Sequence, residues 1–213
     1  MKHFACLMFF APLAVAPAAL GQSWEVGFGG GGTFSTSTTV QNPSGNGSAG
    51  FAPGFAVSAW LGNNVNNSVG GEFRYDYERS DLRLSSGGTS VNFGGQTNAV
   101  HYDVVLHMAP AESHIRPFIV AGAGVKLFSG TGTEEAFQPL SNLALLTKTS
   151  QIEPVVSVGG GVKIALSRSA TLRLEVHDYL SPYPTNVIAP APSSKIGGWL
   201  SDLVVSAGFS FGL

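Results

Sequence analysis

The chain has 213 residues, a formal net charge of −2 and 11% charged residues, against roughly 25% in typical soluble domains. That balance excludes an electrostatic binder of nucleic acid. The single cysteine excludes a disulfide framework. With 28 glycines and 14 phenylalanines the composition is membrane-like, yet beyond residue 21 no stretch reaches the ~18 uninterrupted apolar residues of a spanning helix.

Residues 1–21 read as a secretory signal peptide. Lys2 and His3 form a short basic start, Phe4 to Ala16 an apolar run, and Ala19-Leu20-Gly21 the small residues of a cleavage site, so the mature chain is expected to begin at Gln22. The apolar run is too short and proline-broken for a spanning helix. Cys6 lies within this segment with only five residues before it, which argues against a lipoprotein site and leaves the mature chain without thiol chemistry.

Eight strands follow, at about Trp24–Phe34, Phe51–Leu61, Ser68–Ser80, Gln96–Met108, Ile115–Phe128, Ile152–Leu166, Thr171–Leu180 and Leu203–Leu213. Each is long enough for a tilted membrane strand of ~9–11 residues. Period-2 alternation places successive side chains on opposite faces. In the last strand Leu203, Val205, Ala207, Phe209, Phe211 and Leu213 share one face. In the third, Phe73, Tyr75 and Tyr77 oppose Glu72, Arg74, Asp76 and Glu78. In the seventh, Leu172, Leu174 and Val176 oppose Arg173, Glu175 and His177.

The connections alternate in length. Residues 36–50, 81–94, 129–150 and 181–200 are long, and 62–67, 109–114 and 167–169 are short. Long loops at one end and short turns at the other belong to outer-membrane barrels. A charge on the lipid face at mid-bilayer costs about 2–4 kcal/mol, so the charged faces must point inward. Glycines share that inward face (Gly27, Gly29, Gly31, Gly122, Gly124, Gly159, Gly161), which leaves room for larger side chains in a lumen just wide enough to be filled. The expected fold is all-β: an eight-stranded antiparallel up-and-down transmembrane β-barrel over residues 22–213. A soluble secreted β-sandwich or a lipocalin-like barrel is the alternative, and it accounts less well for the last strand and the loop alternation.

Pro117-Phe-Ile-Val-Ala-Gly-Ala-Gly-Val125 resembles the strand motif of OmpA-like and opacity-type small outer-membrane β-barrels. Gly159-Gly-Gly-Val-Lys-Ile164, with Ser167-Arg-Ser169 and Leu172-Arg-Leu-Glu-Val-His-Asp178, is similar to that family's penultimate hairpin. The resemblance spans essentially the whole mature chain and reports architecture more than activity. It implies an eight-stranded barrel inserted by the outer-membrane assembly machinery, which reads the last strand. That strand ends in Leu213 where many members end in Phe. No peptidoglycan-binding domain follows in this sequence, so the family's tethering role is not implied.

The charges expected inside are Glu25, Glu72, Arg74, Asp76, Glu78, Asp103, Arg116, Lys126, Glu153, Lys163, Arg173, Glu175 and Asp202. They suit either a polar pathway for small solutes or a packed set of ion pairs that plugs the barrel. Mixed signs on neighbouring strands favour the plug, because buried charges must be paired. The surplus of carboxylates calls for water or a protonated carboxyl to complete it. His101, His107 and His177 face inward too, where hydrogen bonding is expected rather than metal ligation. His177 with Ser181 or Asp178 is the only hint of a lipid-modifying enzyme, and its spacing fits no lipase-barrel pattern. Glu112-Ser113-His114 falls on a short turn. Gly29–Gly32 lacks the Lys-Ser/Thr and the helix of a phosphate loop. No catalytic residue, cofactor or metal site is expected.

Phe137, Leu140, Leu143, Leu145 and Leu146 make the third long loop apolar. A short helix, contact with the outer leaflet, contact with a partner and a folded strand extension all remain open for it. The expected partners are the lipid bilayer, lipopolysaccharide, the assembly machinery and an extracellular partner at the loops, with no nucleic acid. A monomer with a structural or surface-interaction role is expected. The alternatives are a narrow channel or a lateral port for small hydrophobic solutes and, third, a lipid-modifying enzyme.

Overall fold

The computed structural model describes residues 24–43, 45–135 and 137–213; the expected signal segment and Gln22 lie outside them. The described chain forms β1 (Trp24–Ser35), β2 (Thr38–Asn42), β3 (Gly45–Phe51), β4 (Gly54–Asn64), β5 (Val69–Arg79), β6 (Leu82–Ser86), β7 (Thr89–Phe93), β8 (Gly95–His107), β9 (Ile115–Gly130), β10 (Ala144–Leu146), β11 (Ser150–Ala165), β12 (Ala170–Pro182), β13 (Ile188–Pro190) and β14 (Trp199–Gly212). Eight of these close into one antiparallel barrel in the order β1-β14-β12-β11-β9-β8-β5-β4. These are the eight strands that the alternation predicts. Closure is by β1 against β14, with Glu25 opposite Gly212 and Ser35 opposite Asp202.

The two faces separate as the pattern requires. Phe28, Val57, Phe73, Tyr102, Val104 and Phe209 are exposed on the outer wall, while Arg74, Asp76, Asp103 and Arg173 are wholly buried inside. In water this arrangement would be inverted. In a bilayer every backbone polar group is paired between strands and the apolar wall meets hydrocarbon.

The long loops are folded. The first two fold into a four-stranded sheet, β2-β3-β6-β7, in which β3 and β6 prolong the β4–β5 hairpin beyond the barrel. The third and fourth contribute β10 and β13, which pair with each other. Between them lies a second apolar core. It includes Val40, Phe51, Leu82, Leu84, Phe128, Leu143, Leu146, Val187, Ile188 and Leu200. The apolar third loop thus forms no helix among its described residues; its Leu143 and Leu146 are buried in this cap, whereas Phe137 and Leu145 stay exposed. Gln138 braces the loop, donating to the Leu146 carbonyl at 2.9 Å and accepting from the Leu146 amide at 3.0 Å.

The lumen glycines are required by close approach. A Cβ on Gly31 would stand 1.9 Å from the Val205 carbonyl oxygen, and one on Gly27 would overlap the Trp60 ring at 2.3 Å. Gly30, its side facing lipid, would meet nothing nearer than 3.3 Å. Neighbouring residues therefore respond to the same change by very different amounts. Gly31→Ala is expected to destabilise the barrel by about 1–3 kcal/mol, and Gly30→Ala by less than about 0.5 kcal/mol, both read from urea unfolding in lipid vesicles.

Candidate functional site

The inward faces of β1, β5, β8, β9, β11, β12 and β14 fill the lumen with a ladder of charge. At its lower rung, nearest the short turns, Lys163 Nζ donates to Glu25 Oε1 at 2.6 Å. Arg173 Nη1 donates to Glu25 Oε1 at 3.2 Å and to Glu72 Oε2 at 2.6 Å. Arg173 Nε lies 2.8 Å from Glu175 Oε1, an ion pair too bent to be a hydrogen bond. One rung higher, Arg74 Nη1 donates to Glu175 Oε2 at 2.7 Å and Glu72 Oε1 at 3.3 Å, and its Nε to Asp76 Oδ1 at 3.2 Å. The Trp60 ring packs on both guanidiniums, 4.4 Å from Arg173 Cζ and 5.0 Å from Arg74 Cζ.

The next rung is His101. Its Nδ1 lies 2.9 Å from Asp103 Oδ1 and its Nε2 3.0 Å from Asp76 Oδ2. A ring flanked by two carboxylates donates to both only as the imidazolium. Tyr179 Oη donates to Asp76 Oδ2 at 2.9 Å, and Ser58 Oγ donates to Asp76 Oδ1. At the top Lys126 Nζ is held by Glu78 at 3.0 and 3.1 Å and by Asp202 at 2.6 Å. Thr97 donates to Glu78 at 2.9 Å and Thr33 to Asp202 at 2.5 Å. The carboxylate surplus is met by His101 and by the hydroxyls of Ser58, Thr33, Thr97 and Tyr179. Those hydroxyls lie on inward positions of their strands, so the strand parity that marks the charges marks them too.

Two of the candidate charges stand apart. Glu153 pairs in register with Lys126 on β9, but the lysine turns to Glu78 and Asp202, and among the described residues Glu153 accepts from Gln151 alone. The expectation that it joins the charge cluster is not what the geometry gives. Arg116 joins no carboxylate: its Nε donates to the Ala109 carbonyl at 3.1 Å and its Nη2 to the Asn67 carbonyl at 2.9 Å.

His177 Nε2 lies 2.8 Å from Glu175 Oε2, while its Nδ1 is 3.5 Å from Ser157 Oγ. Ser181 Oγ has no hydrogen-bond partner among the described residues, and Asp178 accepts from Ser201 at 2.8 Å. His177, Ser157 and Ser181 are all buried, so a substrate carbonyl has no approach to either hydroxyl. Among the described residues no three His, Cys, Asp or Glu side chains converge as a metal site.

The chain matches the outer membrane protein beta-barrel domain over residues 4–211. It belongs to that family. Its place is therefore the lipid bilayer of a bacterial outer membrane, with the long loops outside and the short turns in the periplasm. The fold is shared with Neisserial surface protein A, at 11% identity and a TM-score of 0.57, covering 89% of this chain and 97% of that one. It is shared equally with OprG from Pseudomonas aeruginosa, at 11% identity and a TM-score of 0.55, covering 90% and 98%. A comparison with curated protein sequences gives no match.

Removing one member of a buried pair strands its partner's charge and costs about 3–5 kcal/mol. Lys126→Met leaves Glu78 and Asp202 facing each other with no cation. It is expected to lose about that much in urea unfolding, with Asp202→Asn in the same chain restoring part of it.

Proposed function

We propose that this protein is a closed, non-conducting outer-membrane barrel whose working surface is its folded extracellular cap. The observation that carries this reading is the double seal along the barrel axis. Arg74, Arg173 and Lys126 cross the lumen fully buried, with their carboxylates around them. Above them Phe128 leads into the apolar core of the cap, 5.6 Å from the Phe51 ring. A polar pathway would need continuous water, and side chains take up most of the ladder's polar atoms, although Arg74 and Arg173 each keep an Nη2 with no partner among the described residues. A structural or surface-interaction role is the reading this supports, as a monomer and without catalysis. Export by the segment 1–21, insertion by the assembly machinery, lipopolysaccharide around the wall and an extracellular partner on the cap all belong to the proposal.

A lateral port is the second reading. Its natural place is the fork where β11 and β12 part, since their pairing begins only at Val156 opposite Leu180. The fourth long loop occupies that fork. The Asn186 amide donates to Gln151 Oε1 at 2.6 Å, and the Thr147 amide donates to the Val187 carbonyl at 3.0 Å. This filling weighs toward the closed barrel.

The test is conductance of the refolded protein in a planar bilayer. Silence of the wild type across both polarities is expected. Steady, discrete openings would contradict the closed reading and move the protein to the transport class.

A further inference from the structure

The top layer of the lumen holds more than a salt bridge needs. Just beneath the cap Lys126, Glu78 and Asp202 meet from β9, β5 and β14, and all three are buried. Lys126 Nζ stands 2.6 Å from Asp202 Oδ2 and 3.0 and 3.1 Å from the two Glu78 oxygens. The carbon bonded to that Asp202 oxygen therefore lies within roughly 3.5 Å of Nζ, the separation of a near-attack geometry. The other oxygen of Asp202, Oδ1, accepts from Thr33 Oγ1 at 2.5 Å and from Ser35 Oγ at 2.9 Å. The rings of Tyr179 and Phe128 stand 5.2 and 5.5 Å from Nζ, both buried, and close the layer against bulk water. A desolvated amine in such surroundings is a nucleophile once it gives up its proton.

The other lysine of the lumen lacks these parts. Lys163 Nζ is 2.6 Å from Glu25 Oε1, as close as Lys126 is to Asp202. The next group on Glu25, however, is the Arg173 guanidinium. Among the described residues no hydroxyl donates to Glu25 and no second carboxylate reaches Lys163. Glu25 also lines the open cavity at the periplasmic end. The two pairs share a contact distance and differ in everything around it.

We propose that in the folded barrel Lys126 and Asp202 condense to an amide between their side chains, with Glu78 as the proton carrier. A proton passes first from Nζ to Oδ2 across their 2.6 Å contact. The neutral amine then attacks Cγ, and the charge that develops on Oδ1 is held by the Thr33 and Ser35 hydroxyls. Glu78 takes a second proton from Nζ and passes it to the Oδ2 hydroxyl, which leaves as water. The Nζ–Cγ bond forms and the Cγ–Oδ2 bond breaks. Glu78 ends as the carboxylate it was at the start, and the step needs no oxidant and no cofactor. Three buried charges become one, which lowers the desolvation cost of the layer. The bond ties β9 to β14, which lie apart in the barrel order with β11 and β12 between them. It is thus a staple across the lumen to the strand that closes the barrel. It is independent of the closed-barrel reading, since these side chains fill the layer with or without it.

The test is the intact mass of the full chain, measured in urea before refolding and again after refolding into lipid vesicles. The unfolded chain is expected at its full mass and the refolded chain lighter by one water molecule. Protease digestion of the refolded protein is expected to release a branched peptide that joins the segments around Lys126 and Asp202. Lys126→Arg and Glu78→Gln are expected to keep their full mass. Lys163→Arg is expected to form the link as the wild type does. Heat-modifiable migration on a gel reports whether each protein is folded. A folded wild type that stays at full mass would overturn the proposal without recourse to any variant. So would a branched peptide at Lys163 and Glu25 in place of the expected one, or a link that persists in folded Glu78→Gln.

Discussion

Lipid on the outside of a narrow barrel is the constraint on which the rest of this structure depends. Eight strands enclose a lumen only one or two side chains across. Every polar residue barred from the outer wall must fit there, and every charge among them must find a partner. The ladder from Glu25 to Lys126 is the solution reached. Carboxylates bridge successive cations, so Glu72 serves both Arg173 and Arg74, and Asp76 serves both Arg74 and His101. Each rung is fixed by the one below and the one above. The pairing is dense without being complete, since Arg74 and Arg173 each keep a buried Nη2 with no partner among the described residues.

The cap extends the same logic past the membrane. Where β4 and β5 leave the bilayer their hairpin continues as β3 and β6, and the side facing the axis changes from charged to apolar. Lys126 marks the transition, with its ammonium 5.2 Å from the Tyr179 ring and 5.5 Å from the Phe128 ring. Below that layer charge is matched with charge. Above it Phe128, Phe51 and Leu200 pack as in a small soluble domain. Under the surface-interaction role proposed above, a folded cap meets the ordering cost of its surface in folding.

The barrel was legible because lipid imposes a period-2 pattern on every strand, and the alternation of loop lengths orients it. Inward parity also picks out Arg74, Glu175 and Lys126 as charges meeting in the lumen. Parity carries no information on reach: Glu153 and Lys126 are register neighbours, yet the lysine crosses to Glu78 and Asp202. The cap escaped because β2, β3, β6 and β7 are short and Ser-, Thr-, Asn- and Gly-rich, with only one or two large apolar residues each, such as Val40 and Leu84. Their core assembles from four loops far apart in sequence, and no local window contains it.

The most direct test of the interlocked lumen charges is a double-mutant cycle on Glu72 and Arg173, using Glu72→Gln, Arg173→Gln and the pair, with unfolding free energies measured in lipid vesicles. If mutual pairing is what the lumen demands, each single change costs about 3–5 kcal/mol, and the double change costs less than their sum by about 2 kcal/mol or more. Additivity within about 0.5 kcal/mol would mean that the two charges do not depend on one another, and the account of the lumen as an interlocked ladder would fail.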